Sequence, residues 1–443
     1  MGGGQNEQRG DFVGHVGVAL FLAVFGYYWI TITPFVDLTG AGAVDPAAGN
    51  SNALNQFVAL ALFGCMGLFY LARGRGIPLF GPGWLLGLII AWCLVTSVLA
   101  GHPDLAIKRT ILVVIVAFNA ALVLLLPRSE TEFARLLAII VLSVLALCYL
   151  GVMFRPTLSI HQASEIREPM NAGLWRGIFP HKNSAAGAMV LAVFFGLFIA
   201  AMRSRLLGLG IVVLAVFFLS NTGGKTSMLV LPAVLVLAWM LERFAWMRLP
   251  LVVGGLIGFN LLAVGSAVFE PIRELVTALG VDATFTNRSD IWRFAFSAIA
   301  ERPIIGHGFQ SFWQTEELVY GGGTIETWAA AAYNGHNAYL DTLISLGIPG
   351  LILTIIWIVL MPIRDIGRAQ RADNNPLMTR LFIRIWLYAL VSSCVESVFY
   401  GGGGELWFSL LLAMCGLRLQ GQATLVSAAP ARETTKDKGA VYG

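Results

Sequence analysis

The chain has 443 residues, of which 57% are hydrophobic and only 12% are charged, and its mean hydropathy is +0.76. Soluble domains carry roughly 25% charged residues, so this composition excludes an ordinary soluble protein and predicts an integral membrane protein with many crossings. The net charge of +4 is small and no block of Lys and Arg occurs, which excludes nucleic acid as a partner.

Each membrane-crossing helix needs about 20 mainly apolar residues. With a window of that length, the sequence predicts an all-α polytopic membrane protein with about twelve transmembrane helices. The predicted spans are approximately 13–33, 54–72, 83–100, 109–127, 133–153, 184–202, 206–220, 226–241, 249–268, 338–361, 379–399 and 403–420.

The positions of Lys and Arg predict the orientation, because short cytoplasmic loops are enriched in these residues. Every second predicted loop is basic when the N-terminus is placed inside, so both termini are predicted to be cytoplasmic. The resulting division is a cytoplasmic tail at 1–12, transmembrane helices one to nine at 13–268, an extracytoplasmic loop subdomain at 269–337, transmembrane helices ten to twelve at 338–420 and a polar cytoplasmic tail at 421–443.

Several cations lie in outer loops, where the orientation rule predicts few. Any one of them could reach lipid head groups or pair with a nearby acid. As a group they favour a polyanionic ligand at the outer interface, and arginine suits a diphosphate because its planar guanidinium binds two oxygens at once. The candidates for this role are Arg176, Lys182, Lys225, Arg288 and Arg293.

Two of these cations lie beside predicted helix starts. In LWRGIFPHKNSAAGAMV, Lys182 lies just before a span that Asn183 or Ser184 could cap, which predicts an anion site at the positive end of a helix. The alternative is an ordinary capped helix start with interfacial aromatic residues. The turn SNTGGKTS lacks the G-x-x-x-x-G-K-[ST] spacing, so a nucleotide site is rejected, and only an anion contact by Lys225 is predicted.

The segment 269–337 is the longest hydrophilic stretch of the chain. Within it, TNRSDIWRFAFSAIAERPIIGHG predicts an amphipathic helix that Thr286, Asn287 or Ser289 could cap. The segment is therefore predicted to be an ordered subdomain. The predicted apolar face of its helix consists of Ile291, Trp292, Phe294, Phe296 and Ile299.

The stretch GHNAYLDTLISLGIPG places His336 and Asn337 at the start of the predicted tenth span. A histidine can accept a proton near pH 7, so His336 is a candidate general base for activating a hydroxyl. The alternative is a histidine that caps the helix or bonds to a loop carbonyl, and His307 in GHGF is a competing base. Pro349 in LGIPG predicts a kink, because proline removes a backbone hydrogen bond.

Other kinds of site are weakly supported. Five cysteines occur singly inside apolar runs without metal-ligand spacing, and the outer loops hold no DxD pair, so neither a metal nor a cofactor is predicted. A transporter would place ionisable residues near the middle of the bilayer. The predicted spans are nearly free of charge apart from Glu396, whose role stays open together with that of His181.

Four motifs occur in the order FPHKNSAAG, SNTGGKTS, NRSDIWRFAFSAIAERPIIGHGFQSFW and HNAYLDTLISLGIPG. This series resembles the O-antigen ligase / Wzy-type polymerase superfamily of bacterial membrane glycosyltransferases, and most of all its ExoQ-like exopolysaccharide polymerase branch. The resemblance covers roughly 50–420, with its specific motifs concentrated in 175–350.

The resemblance implies about twelve transmembrane helices in the bacterial inner membrane, with a large helical periplasmic loop before the tenth. It also implies metal-independent transfer of a glycan from an undecaprenyl-diphosphate carrier to an acceptor hydroxyl. His336 takes the position of the general base, and Asn337 could orient that histidine or a sugar. The motif positions that would hold the donor diphosphate are Arg176, Lys182, Lys225, Arg288 and Arg293.

The branch of the superfamily decides which acceptor is used. Ligases carry arginine-rich loops where this chain has HKN and GGKTS, so a repeat-unit polymerase is favoured. A ligase acting on lipid A-core, a transfer to protein and a polysaccharide transporter are the alternatives. The implied partners are the lipid-linked glycan donor, a glycan or lipid-linked acceptor, the bilayer and, for a polymerase, chain-length and export proteins.

Overall fold

The computed structural model describes residues 2–39, 53–73, 83–165, 168–280, 285, 288–320, 329, 332–372, 374–401 and 403–422. Within these ranges the chain is nearly all helical, and the only β-type pairing is one antiparallel bridge between Ile160 and Trp175. The prediction of an all-α protein is confirmed.

Eighteen α-helices form the described part of the chain. The first nine are α1 (Gly2–Ile30), α2 (Ala53–Arg73), α3 (Gly83–Val98), α4 (Pro103–Leu122), α5 (Glu130–Phe154), α6 (Pro156–Ser159), α7 (Lys182–Met202), α8 (Arg205–Asn221) and α9 (Lys225–Arg243). The other nine are α10 (Arg248–Ala263), α11 (Gly265–Val268), α12 (Glu270–Ala278), α13 (Arg288–Glu301), α14 (Glu316–Tyr320), α15 (Ala338–Ile355), α16 (Met361–Arg371), α17 (Pro376–Ser392) and α18 (Glu405–Gln420).

Short helices of other types connect some of these elements. Three 3₁₀ turns lie at Val123–Leu125, Pro169–Asn171 and Ala245–Met247. A π-helical turn at Ile356–Leu360 joins α15 to α16.

Eight helical stretches among the described residues are long and apolar enough to cross a bilayer. Two shorter apolar helices, Trp84–Val98 and Arg205–Asn221, correspond to the third and seventh predicted spans. Helices α17 and α18 correspond to the last two, so each predicted span falls on helix, and the total of twelve crossings stays a prediction. The eight stretches are Val13–Ile30, Ala53–Ala72, Pro103–Leu125, Glu130–Phe154, Lys182–Met202, Lys225–Arg243, Ala245–Val268 and Ala338–Arg371.

Helix α7 lies in the interior of the bundle, with 14 of its 21 residues buried. A helix that is apolar on all sides belongs in such a position. It packs closely against α8, where a side chain on Gly208 would collide with the backbone of Ala200. Small residues permit this close approach between membrane helices. The packing holds the N-terminus of α7, and with it Lys182, in a defined place.

The predicted amphipathic helix exists as α13, with two corrections. Ser289 lies inside the helix rather than at its N-cap, and Thr286 and Asn287 lie outside the described residues. Phe296 is 38% exposed, because its place on the buried face is taken by Ala295 and Ala298. Of the predicted apolar residues, Ile291 and Trp292 are fully buried, while Phe294 and Ile299 pack as partly buried neighbours of the core.

The predicted kink in LGIPG is confirmed. Gly347 has φ 66° and ψ −172°, which interrupts α15 in a conformation that favours glycine. The neighbouring backbone groups are paired with the segment that follows α13. Ile348 N–H donates to the Pro303 carbonyl at 2.9 Å, and His307 N–H donates to the Ile344 carbonyl at 2.7 Å.

Both predicted tails were assigned from polarity. Helix α1 begins at Gly2, so residues 2–12 continue the first span as helix. The C-terminal segment 421–443 lies outside the described residues beyond 422. Of the cysteines, Cys65 is exposed on α2 and the other four are buried.

Candidate active site

A cavity of about 500 Å³ lies where α7, α15 and α18 begin and α17 ends. Its wall combines the loop before α15, the turn between α17 and α18, and the segment that leads into α7. Among the described residues, its imidazole and carboxyl side chains are those of three histidines and four glutamates: His161, His181, His336, Glu165, Glu168, Glu396 and Glu405.

His336 is held in an unusual backbone conformation. Its φ of 45° is left-handed, which is uncommon for a residue other than glycine and marks a position that the surroundings enforce. The Asn334 side chain accepts the His336 N–H at 3.0 Å. Next to it, Gly335 donates its N–H to the Asp341 carboxylate at 2.9 Å and accepts from the Trp292 indole at 2.9 Å. These bonds fix the loop that carries His336 to the cavity.

Asn337 caps α15 and has no hydrogen-bonding capacity left for a substrate. Its Oδ1 accepts from the backbone N–H groups of Tyr339 and Leu340, both at 3.0 Å. Its Nδ2 donates to Asn260 Oδ1 at 2.8 Å and to the Cys394 carbonyl at 2.7 Å. The side chain is fully buried. This placement does not support the predicted contact of Asn337 with a sugar or with the histidine ring.

Glu396 lies just beyond the end of α17 and binds three partners. Its Oε1 accepts from Arg288 Nη2 at 2.8 Å and from Asn183 Nδ2 at 3.0 Å. Its Oε2 faces His336 Nδ1 at 3.4 Å, a distance that is longer than an ideal hydrogen bond, as is common before substrate binds. Burial by itself would raise the pKa of the Glu396 carboxyl, but the charge of Arg288 and the bond to His336 hold that pKa at about 2.

The ionised Glu396 determines which nitrogen of His336 carries the proton. A carboxylate only accepts hydrogen bonds, so Nδ1 donates, and in the neutral ring Nε2 keeps its lone pair. Within the described part of the chain, Nε2 has no hydrogen-bond partner. His336 therefore offers a free basic nitrogen beside the cavity.

The other two histidines of the cavity use both ring nitrogens. The Asn183 N–H donates to His181 Nδ1 at 3.1 Å, and His181 Nε2 donates to Glu168 at 2.8 Å. The Lys182 N–H donates to His161 Nε2 at 3.1 Å, and His161 Nδ1 donates to Glu165 at 2.7 Å. Burial lowers the pKa of His161, against the opposing effect of Glu165. Both rings hold the start of α7 instead of offering a base.

His307, the competing base, lies away from the cavity. Its Nε2 donates to the Ala298 carbonyl at 2.8 Å, and its ring packs against Phe312 with the centroids 4.8 Å apart. Its position ties α13 to the kink in α15, which supports a structural role.

Three of the predicted cations lie together near Glu396. Arg288 is the first residue of α13, and its second guanidinium nitrogen donates to the Val395 carbonyl. Lys182 and Lys225 are the first residues of α7 and α9, and Lys182 lies within electrostatic reach of Glu168, Arg288, Glu396 and Lys225. Arg288 and Lys182 therefore lie near the carboxylate that contacts His336, and Lys225 lies near Lys182.

The remaining two predicted cations are engaged elsewhere. Arg176 is fully buried, and its guanidinium donates to the Val36 carbonyl at 2.7 Å and to the Phe179 carbonyl at 3.4 Å. Arg293 donates to the Ala267 carbonyl at 2.8 Å and pairs with Asp290 at 2.9 Å. Neither side chain lines the cavity. These placements do not support a diphosphate contact for Arg176 or Arg293.

Several site residues escaped the sequence analysis. Glu165, Glu168 and His161 line the cavity, and the sequence analysis singled out none of them. The four-residue spacing of His161 and Glu165 in a polar stretch is a weak local signal of pairing. No signal in the sequence links Glu396 to His336, because 60 positions separate them.

Residues 188–355 match the Wzy_C family model, described as O-Antigen ligase. The resemblance that the motifs predict is thereby confirmed. The matched range contains Lys225, Arg288 and His336, whereas Lys182 and Glu396 lie outside it.

Curated relatives give the same picture at modest identity. The chain is 23% identical over 255 residues to "Exopolysaccharide production protein ExoQ" of Rhizobium meliloti (strain 1021), which covers 53% of this chain and 57% of that protein. It is 24% identical over 172 residues to a "Putative polysaccharide ligase" of Rickettsia conorii and to one of Rickettsia felis, in each case over 35% of this chain and 41% of the relative. The chain thus spans about half the length of the curated relatives that it matches.

Proposed function

We propose that the protein is a membrane glycosyltransferase that moves a glycan from an undecaprenyl-diphosphate carrier to an acceptor sugar hydroxyl. The observation that carries this proposal is the cavity in which Glu396 holds His336 with a free Nε2, next to a group of cations. The match to the O-antigen ligase model and the printed names of the relatives support it.

In this mechanism His336 acts as general base. Its Nε2 takes the proton from the acceptor hydroxyl as the oxygen attacks the anomeric carbon of the donor glycan. The bond from that carbon to the diphosphate oxygen breaks, and undecaprenyl diphosphate leaves with the electron pair. Glu396 orients the ring and stabilises the imidazolium that forms.

The cations act on the leaving group. A diphosphate leaves readily once its charge is compensated, and preorganised positive groups supply that compensation. Lys182 and Lys225 begin helices, where backbone N–H groups add to the positive potential, and Arg288 also holds Glu396. In this proposal these three side chains compensate the charge of the diphosphate without a metal ion. We assign Arg176, Arg293 and Asn337 to support of the site.

The orientation in the membrane is part of the proposal. We place the cavity and the segment 269–337 on the periplasmic side of the bacterial inner membrane, with both termini in the cytoplasm. The distribution of basic loops supports this orientation. The lipid-linked diphosphate is presented at the membrane interface, and the cavity lies at helix ends that suit this depth.

We favour polymerisation of exopolysaccharide or O-antigen repeat units over ligation to lipid A-core. The relative named for exopolysaccharide production supports polymerisation, whereas two relatives are named as polysaccharide ligases. The chemistry at the donor is the same in both cases. Chain-length and export proteins are the partners that a polymerase would need.

The deciding experiment supplies purified protein with a lipid-linked repeat unit and no second acceptor. A polymerase elongates the unit to a ladder of longer lipid-linked glycans, which gel electrophoresis resolves. A ligase releases a longer product only when a lipid A-core acceptor is added. Absence of transfer under both conditions, with folded protein, would refute the proposal.

A further inference from the structure

Acidic and basic side chains differ in whether they line the cavity. The cations Lys182, Lys225 and Arg288 lie outside the described lining, whereas four carboxylates line it. Within the described residues no Lys or Arg contributes to the lining. A ligand in the cavity therefore contacts carboxyl groups and no ammonium or guanidinium group of the described lining.

Glu168 offers an unused oxygen to the cavity. Its Oε2 accepts from His181 Nε2 at 2.8 Å and from the Asn171 side-chain amide, while its Oε1 has no partner in the described chain. The hydrogen bond from His181 holds the pKa of Glu168 at about 2, so the carboxylate is ionised at every physiological pH. The side chain is 46% exposed and can receive a hydrogen bond from a ligand.

Glu165 differs from Glu168, because its oxygens are both engaged. Oε1 accepts the Gln162 N–H at 3.1 Å, and Oε2 pairs with His161 at 2.7 Å. Its side chain is 4% exposed. Glu165 therefore contributes negative potential without a free acceptor, and Glu168 is the carboxylate that can contact a ligand.

The rest of the lining suits a polyhydroxylated ring. Asn183 and Ser184 contribute an amide and a hydroxyl, and Tyr333, which is 53% exposed, contributes aromatic surface. Trp407 is 1% exposed, and its indole N–H has no hydrogen-bond partner among the described residues. The volume of about 500 Å³ falls within the roughly 300–1,000 Å³ of small-molecule sites.

We propose that this cavity is the acceptor subsite and that it selects acceptors whose terminal sugar is neutral or carries an amine, against uronic acids. This inference rests on the proposed function, and it adds the substrate class. Sugar hydroxyls donate strong hydrogen bonds to the carboxylate of Glu168. A uronate in the same place would bring a third negative charge beside Glu168 and Glu396, which like-charge repulsion disfavours.

The test measures binding without turnover. Purified full-length protein is titrated with two soluble trisaccharides that differ only at the terminal residue, one ending in glucose and one in glucuronic acid. We expect the neutral trisaccharide to bind about tenfold more tightly, from the repulsion of charges at the edge of water. Equal binding, preference for the acid, or no measurable binding of either sugar would overturn the inference.

Binding and transfer can fail separately. Selective binding together with absence of transfer would refute the proposed function and still support a selective sugar site. Efficient transfer with equal use of both acceptors would leave the proposed function and remove the selectivity.

The variant Glu168→Gln keeps the size of the side chain and removes its charge. We expect it to bind the acidic trisaccharide about tenfold more tightly than the native protein does, with a change below about threefold for the neutral one. Glu301→Gln, on the exposed end of α13 outside the cavity, is the matched control and should change neither. An unchanged affinity of Glu168→Gln for the acid would contradict the assignment.

Glu168 also supports His181 at the start of α7, so the variant could unfold the site. Glu405→Gln provides a second measurement, because Glu405 lines the cavity and begins α18, so it does not support His181. We expect a smaller shift in the same direction. A shift in the opposite direction would contradict the proposal.

Discussion

The two walls of the cavity use the same pair of residue types with different results. On one wall, His336 lies against Glu396 and keeps one ring nitrogen free. On the other wall, His181 contacts Glu168, and its second ring nitrogen accepts a hydrogen bond from the Asn183 N–H. The difference teaches that residue type does not decide which histidine can act as a base. What decides this is whether both ring nitrogens already make hydrogen bonds, because only a nitrogen without a partner can accept a proton from a substrate.

The largest expected effect is the loss of the free nitrogen. His336→Ala should lower the transfer rate by about 10²–10⁴-fold, which is the usual contribution of a general base. Transfer of label from a lipid-linked donor measures the rate, and size-exclusion chromatography checks the fold.

The same assay applied to the opposite wall sharpens the comparison. His181→Asn keeps an N-cap for α7, so its rate should stay within about tenfold of the native rate. Equal losses of transfer rate in His336→Ala and His181→Asn would contradict the assignment of His336 alone as the base.

The next effect compares two cations, Lys182, which lies near Glu396, and Arg293, which lies away from the cavity. Lys182→Met removes a charge near Glu396 and should raise the KM for the donor about tenfold, with a smaller change in kcat. Arg293→Met, at a cation that pairs with Asp290 away from the cavity, should raise it less than about threefold. Steady-state kinetics with varied donor concentration gives both values. A larger effect at Arg293 would place the diphosphate on the other face of α13.

Neighbouring residues of the loop should separate stability from catalysis. Asn337→Ala removes the N-cap of α15 and should cost about 0.5–2 kcal/mol of stability. Thermal unfolding in detergent measures this loss, and Asn337→Ser, which keeps a capping oxygen without burying a charge, should lose less. A rise in the KM for the acceptor without a fall in melting temperature would support the predicted contact between Asn337 and a sugar.

The smallest effect is a dependence of stability on pH. The pKa of Glu396 is about 2, below the value of roughly 4.3 for an unperturbed Glu. Its contribution is therefore present above pH 4.3 and is lost as the pH falls from there toward 2. Melting temperatures between pH 6 and pH 3 should fall less in Glu396→Gln than in the native protein. Parallel curves would show that the carboxylate is not held in its charged form.

Much of the architecture follows from local sequence. Runs of apolar residues long enough to cross a bilayer predicted where the helices lie, because hydropathy is a sum over neighbours in the chain. The kink followed from LGIPG, because proline removes a backbone hydrogen bond and glycine permits the conformation that Gly347 adopts. Phe296 was the exception in α13, because small alanines nearby took the buried face, and only the neighbouring elements reveal that choice.

For the site, too, the sequence determined some features and the tertiary structure determined others. The sequence by itself determined that His336 stands at a helix start among outer cations, and that its motifs resemble the O-antigen ligase superfamily. The tertiary structure decided which polar groups are already bonded. The side chains of Arg176 and Asn337 are buried and hydrogen-bonded to other groups of the protein. Glu396, in contrast, contacts His336 although 60 positions separate them in the sequence. Hydrogen bonds between distant segments are set by packing, and no local pattern in the chain records them.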